Sequence, residues 1–594
     1  MGISFAIAVL VTAGAVAAFT MSETDRDSVL RSPPATLQPR ATRLPTQDAS
    51  QPTSTPGTVE SSDSGTPTAS EGRSGGDRMM GLAIAEPEST GGTIVIGVNA
   101  PPSSLNPLVA RDLPVDSVLH AIFEPLVEPH PNTLEPVGAL AESWSVDGRG
   151  TTWTFRLRSG VTWHDGEPFT AADVVFSYDR YLDPEIGHPA SAALESLVTD
   201  VRADGDLDVS VTTSEKSADL PVELGVLPIV AAHIFSDVPA SELAQHDGST
   251  GDSMAAVTGT GPFKFANRAA DGTITVAAFQ DYRDGAPALD GIIARPVASQ
   301  VEMFELLRAV EIDVGTLSPG AVSGFDGLPV RVVDYPLNGF TMLGFNLNSN
   351  STPLFQDVRV RQALLHALDR ESMVQDVRSG YGDVEPGTLP LNSWAARPDE
   401  ISTLYPYDPA RSRQLLDETG WTTGLAGVRS RDGRELSFTL LTNSENPIRI
   451  AYLEQIREQW SAIGVEVELI VETFFEVEER LTGSGDYEAF LLGYSWDLSP
   501  DQSELWSCAS GRPAANYTGY CNRAVDNLLV RASRELDPER RAELYLQAQD
   551  LVLADLPVAI LDFPRGLSGV VARAHNVYPN AVNLYFNAET WWLE

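Results

Sequence analysis

LAESWSVDGRGTTWTFRLRSGVTWHDGEPFTAADVVFSYDRY, residues 140–181, changes its apolar period part-way along. Within it, TTWTFRLRSGVTWHDG alternates apolar and polar residues and then turns at Asp165-Gly166, the pattern of a β-hairpin. Thr170 and Asp173 follow as a T-x-x-D start, in which each side chain caps a backbone amide of the other's turn. Behind that start Val174, Val175, Tyr178 and Leu182 fall on a 3.6-residue period, so a helix is expected. A hairpin running into a capped helix implies mixed α/β architecture.

The same mixture continues towards the C-terminus. Val360, Ala363, Leu364, Ala367 and Leu368 share one helical face, as do Ile450, Leu453, Ile456, Trp460 and Ile463. The second of these helices stops at Gly464 and runs into the strand VEVELIV; helix, glycine, strand is the order of an α/β lobe. A last amphipathic helix from about Pro538 to Ala554 precedes the apolar strand PVAIL and an aromatic-rich end. No internal repeat is present.

Towards the N-terminus the folded part is expected to begin at Gly91-Gly92 with the strand TIVIGV. Residues 22–90 are rich in Ser, Thr, Pro, Gly and Asp without a hydrophobic period and read as a disordered tether, about 45–50 Å in root-mean-square span. Residues 1–21 hold an apolar run, Ile3 to Phe19, that reads as a signal peptide or membrane anchor. Either one implies an extracytoplasmic location, and an anchor would tie the protein to the membrane. No cysteine follows the run to carry a lipid.

Length and charge bound the rest. A chain of 594 residues exceeds a single hydrophobic core and is expected to hold two or three domains. Its formal charge of -42 argues against nucleic-acid binding, which needs clustered Lys and Arg; it is read first as keeping an exported protein soluble, with attraction of a cationic or amine-bearing solute as the alternative. Cys508 and Cys521 are the only cysteines. Their spacing fits neither a zinc knuckle nor a CxxC pair; an exported protein most simply joins them, and two unpaired thiols are the alternative. P-loop, HExxH and dinucleotide motifs are missing from the sequence and no G-x-S-x-G stands between a strand and a helix as a nucleophile elbow does, so no catalytic residue, metal site or cofactor is expected. His164 in the His164-Asp165-Gly166 turn is read as structural.

A series of segments in fixed order resembles the family-5 solute-binding proteins, the peptide and nickel receptors of ABC importers, over about residues 91–594. GGTIVIGVNAPPSSLNPLVARD is similar to the family's opening, and FEPLVEPHPN with residues 140–181 to its most characteristic stretch. GTGPFKF, FNLNS with VRVRQALLHALDRESMV, Tyr407-Asp408-Pro409, Asn516-Tyr517 and Ala524-Val525-Asp526 follow in order. The resemblance implies an α/β, two-lobed periplasmic-binding-protein fold of the large type II class with an extra subdomain in lobe I. Lobe I would take residues 91–335 and 561–594, lobe II residues 336–560. It further implies a monomeric receptor that closes on a peptide or peptide-like ligand and delivers it to ABC permease and ATPase subunits. A nickel-chelate or oligosaccharide receptor, or a peptide sensor without transport, are the alternatives.

In peptide-binding members an Asp after a Gly-Trp-type segment holds the ligand ammonium, and GYSWDLSPD places Asp497 at that position, with Asp501 a second candidate. The other readings of Asp497 are a solvated loop acid or a helix cap. Trp496, Tyr494 and Trp394 are candidate pocket walls, and main-chain groups around Ser103, Ser104 and Leu105 candidate partners for a peptide backbone. Dipeptide-binding members place an Arg before the long lobe II helix; in LLTNSENPIRIAYLEQ that position is Asn443, which brings no charge and points away from free dipeptides. WSCASGRPAANYTGYC nevertheless resembles the disulfide loop of dipeptide receptors.

Overall fold

The computed structural model describes residues 82–110, 114–348, 353–424, 427–508 and 515–594. The N-terminal apolar run and most of the tether lie outside them. Residues 83–89 hold no helix or strand but are tied to the chain's far end: the Ala85 amide donates to Asn576 Oδ1 at 3.0 Å, and Ser89 and Tyr578 add bonds to Leu593 and Ala83 carbonyls.

A continuous sheet runs through strands Glu466–Glu472, Ser437–Asn443, Ala489–Ser495, Gly339–Phe345, Val558–Val571, Val314–Thr316, Thr93–Val98, Gly291–Pro296, Ile274–Ala278 and Phe263–Arg268, in that spatial order. Its two halves are joined by the long strand Val558–Val571. The first half of that strand pairs with Gly339–Phe345, and the second half with Val330–Pro336 and Val314–Thr316. The change of partner falls at Phe563–Arg565. Beside it, Leu337 and Asn338 carry the chain from Val330–Pro336 into Gly339–Phe345. Two neighbouring crossings therefore connect the halves of the sheet.

Packing follows the same division. Ile94, Ile96, Ile292, Val314, Val570 and Trp591 belong to one core, built from the chain's beginning and end. Trp153, Trp163, Tyr178, Tyr181 and Val209 fill a second, within residues 108–243. The strand GFTMLGF is buried on both faces: Phe340 and Met342 join a third core with Tyr545 and Trp506, and Leu343 and Phe345 a fourth with Phe438 and Trp460. A strand buried on both faces reads as a continuous apolar run, which is why this one shows no alternation.

The expected helix spans Ala171–Leu182, with the Thr170–Asp173 capping box formed and Val174 and Tyr178 buried. Helices Val358–His366, Pro447–Ser461 and Pro538–Asp555 likewise stand where the periodicity placed them. The hairpin is corrected. Thr152–Leu157 is a strand, but its neighbours are Ala141–Val146 before it and Asp208–Thr213 far after it, in a separate four-stranded sheet. The residues behind it form only the isolated bridge Thr162↔Pro168. Alternation marked the strand correctly but carried no information about which side its partner lies on.

His164 is structural, as read. Its Nε2 donates to Gly261 O at 2.9 Å and its Nδ1 accepts the Gly259 amide at 3.2 Å. Burial pushes its pKa down to about 4, so the ring is neutral. Gly259 itself must be glycine, because a Cβ there would lie 1.8 Å from Ile122 O.

Cys508 and Cys521 are bonded, thirteen residues apart in sequence. Cys508→Ser is expected to cost about 3 kcal/mol in denaturant unfolding on the chain-entropy view of a loop this short. Intact mass of the unreduced wild-type protein, two hydrogens below that of the reduced form, checks the bridge itself.

Candidate ligand-binding site

The central strand Ala489–Ser495 leads directly into the predicted acid. As it ends, the Trp496 amide donates to Asn338 O at 2.8 Å, which fixes the following loop on the crossing between the two halves of the sheet. Trp496 packs on Phe340 and Tyr494 and turns its indole N–H to Ser499 O at 2.7 Å, so it braces the loop. Asp497 Oδ1 accepts the Ser499 amide at 3.0 Å. Asp501 accepts from the Ser503 amide and hydroxyl at 3.1 and 2.7 Å. Tyr494 donates its hydroxyl to Glu504 Oε2 at 3.1 Å.

The opposite wall comes from residues 215–223, in the half of the chain that builds the second core. The Ala218 amide bonds to Ser533 O at 2.9 Å, and Glu215 pairs with Arg534. Asp219, buried, is ion-paired with the equally buried Arg541. The guanidinium of Arg541 also reaches the Tyr545 hydroxyl at 3.2 Å and lies 5.6 Å from the ring centre of Trp394. Glu223 ends the short helix Leu220–Glu223, one turn on from Asp219.

Asp219, Glu223, Asp497, Asp501 and Glu504 therefore lie near one another, with the Arg541 guanidinium paired to Asp219. Asp497 and Glu223 are both solvent-exposed, yet many protein atoms crowd around each of them. Burial, followed by the charges of Asp219, Asp497 and Asp501, pushes Glu223 up to about 7. Burial likewise pushes Asp497 up to about 7, against the Ser499 amide and with the charges of Asp219, Glu504 and Asp501. Asp501 is raised by burial as well. In this recess carboxylates outnumber the one guanidinium, which is already paired with Asp219, and an ammonium entering it would meet carboxylates ready to ionise.

Of the sequence-predicted residues, Asp497, Asp501, Tyr494 and Trp394 come together here. Asn443 stands at the end of strand Ser437–Asn443, donating to Glu445 Oε2 at 2.9 Å and accepting from Arg449 Nη1 at 2.6 Å. Leu105 is fully buried with its amide on Ser249 O at 2.9 Å, and Ser104 Oγ donates to the same carbonyl at 3.2 Å. The Leu105 N–H is thus already engaged within the fold. Sequence reasoning passed over Asp219, Glu223, Arg449 and Arg541.

The sequence matches the family model described as bacterial extracellular solute-binding proteins, family 5 Middle, over residues 135–516. The chain belongs to this family. Among its relatives, the family-5 protein is 28% identical over 509 residues to the oligopeptide-binding protein AppA of Bacillus subtilis, across 85% of this chain and 92% of the relative. It is 26% identical over 494 residues to the dipeptide-binding protein of Escherichia coli, across 79% of this chain and 89% of the relative. The solved structure of the B. subtilis AppA protein in complex with a nonapeptide superposes with a TM-score of 0.65 at 26% identity, covering 86% of this chain and all of that one. The family's fold is the two-lobed, mixed α/β one, and the family-5 protein has it. Among the described residues no helix is long and apolar enough to cross a membrane.

Proposed function

We propose that this protein is the extracytoplasmic receptor of an ABC importer, closing lobe I (residues 91–335 and 561–594) and lobe II (336–560) on a peptide or peptide-like solute. It hands that solute to the permease and ATPase subunits and works as a monomer without catalysing a reaction; its N-terminal segment serves either as a cleaved export signal or as an anchor that holds it near the membrane. Asp497 receives the ligand ammonium, with Glu223 and Asp219 facing it from the other wall.

The observation that carries this reading is the acidic recess at the crossing between the two halves. It has five carboxylates against one arginine, and two of the acids are pushed up to about 7. A carboxylate in a partly dehydrated cleft is costly without a cation, and a ligand ammonium supplies one with charge-assisted hydrogen bonds. The relatives named for oligopeptide and dipeptide binding support the peptide class.

Mass spectrometry of small molecules released by denaturing the purified protein is the direct test. Peptides with free amino ends are the expected result. Release of a nickel chelate or an oligosaccharide in stoichiometric amount would replace the peptide reading.

A further inference from the structure

Helix Arg370–Arg378 ends in a turn that leaves its own half of the molecule. Ser379 and Gly380 both take left-handed backbone, at φ 54° and 84°, and swing the chain into the two-residue strand Gly382–Asp383. That strand lies against Phe563 and Pro564, where the long strand Val558–Val571 changes partner. The helix behind the turn sinks Met373 into the fourth core, within lobe II. The turn itself does not follow: Tyr381 packs against the first core, built from the chain's beginning and end. A finger of lobe II thus stands on lobe I.

Arg565 fastens this finger. Its amide donates to Tyr381 O at 3.3 Å, and its Nη1 donates to Asp383 Oδ2 at 3.1 Å. Through Nε and Nη2 the same guanidinium holds Asp334 Oδ2, both at 2.6 Å. Asp334 lies on Val330–Pro336, the strand that enters the other crossing, and at that crossing the Leu337 amide donates to Pro564 O at 3.1 Å. Of its two acids, Asp334 therefore shares lobe I with Arg565, whereas Asp383 comes from lobe II. All three side chains are partly exposed, 27% for Arg565, 47% for Asp334 and 33% for Asp383, so the pair to Asp383 can part without leaving a buried charge. The lobes also meet elsewhere in this structure, where the Ala218 amide bonds to Ser533 O at 2.9 Å. The finger is thus fastened while the two lobes are together.

We propose that the turn Ser379–Asp383 is a clasp across the axis on which the lobes swing, and that its Asp383–Arg565 ion pair helps to hold the lobes closed around the bound solute. Opening lifts Asp383 off Arg565, while Asp334 keeps the guanidinium on lobe I. The clasp touches no ligand, so its contribution to affinity is the same for every ligand and comes from the balance between open and closed forms. Arg565 and Asp383 are in this sense positioning residues. The inference rests on the closure of two lobes proposed above and not on the peptide nature of the solute.

The test uses the full-length protein and the variants R565Q, D383N, D334N and R565Q/D383N. Affinities are measured by calorimetry for three peptides of unrelated sequence, chosen from those the wild type captures out of a random library with free amino ends. One exposed ion pair corresponds to about two- to five-fold, so R565Q and D383N should each weaken all three peptides by that factor. The common direction is the diagnostic point. Acting only through the electric field at a ligand ammonium, loss of Arg565 would strengthen binding and loss of Asp383 would weaken it. D334N should leave affinity unchanged, and the double variant should be no weaker than either single one. Without ligand, single-molecule distances between one dye on each lobe should show the open-to-closed ratio rising by the same about two- to five-fold in R565Q and D383N. Opposite effects of R565Q and D383N, additive losses in the double variant, or an unchanged open-to-closed ratio overturns the clasp. Capture of no peptide by the wild type removes the peptide reading, and the distance measurement then decides the clasp by itself.

Discussion

Replacing Asp497 by Asn is expected to weaken capture of a peptide with a free amino end by about 10- to 100-fold at pH 8, and by distinctly less at pH 6. The magnitude is that of one charge-assisted hydrogen bond. The pH dependence follows from Asp497 and Glu223, both pushed up to about 7. At pH 8 both are ionised and hold an ammonium well. At pH 6 both are largely protonated, so the wild type itself binds more weakly and the variant has less to lose. Near pH 7 the arriving ammonium draws the two carboxyls into their ionised form, and binding should release protons. Calorimetry in two buffers of different ionisation enthalpy measures that release.

Stability should run the other way in the unliganded protein. Both acids have folded-state pKa values above their unfolded ones, so they favour the fold below about pH 4 and oppose it increasingly as pH rises towards 7. Ligand should cancel that penalty. Affinity unchanged between pH 6 and 8, or D497N binding as tightly as wild type, would remove Asp497 from the anchoring role.

How much of this was legible beforehand depended on how local each signal was. The helix Ala171–Leu182 could be read to its cap because capping box and period both lie within a dozen residues. The partners of Thr152–Leu157 could not, because one of them, Asp208–Thr213, is about fifty residues away and alternation carries no pairing information. Asp497 was found through resemblance, since nothing in its neighbours distinguishes it from a loop acid. Asp219 and Glu223 act only because folding brings a distant segment opposite Asp497. Arg541 did carry a readable signal: it shares the helical phase of Leu544, Tyr545, Ala548 and Val552, all buried, and so was bound to point inward.

That inward position makes Arg541→Met the variant with the largest expected loss of stability, about 3–5 kcal/mol in urea unfolding. Methionine fills a similar volume, so the loss would not come from a cavity. It would come from Asp219, which keeps a buried carboxylate with Oδ1 already unsatisfied and loses its ion pair while Glu223, Asp497 and Asp501 remain close by. In the wild type, burial opposes the guanidinium charge, but Asp219 and Tyr545 outweigh it and hold Arg541 more firmly protonated than usual. Without the cation, the cheapest response is for Asp219 to take up a proton, so its folded pKa should rise above its unfolded value. Such an acid opposes folding at neutral pH and ceases to do so as pH falls through its raised folded pKa, so the gap between variant and wild type should narrow on acidification. The double variant R541M/D219N removes charge from both partners and should recover most of the loss, giving a coupling energy well above that of an exposed pair. A gap that is independent of pH, or a double variant as unstable as R541M, would mean that Arg541 acts through its packing on Trp394 and Tyr545 and not through Asp219.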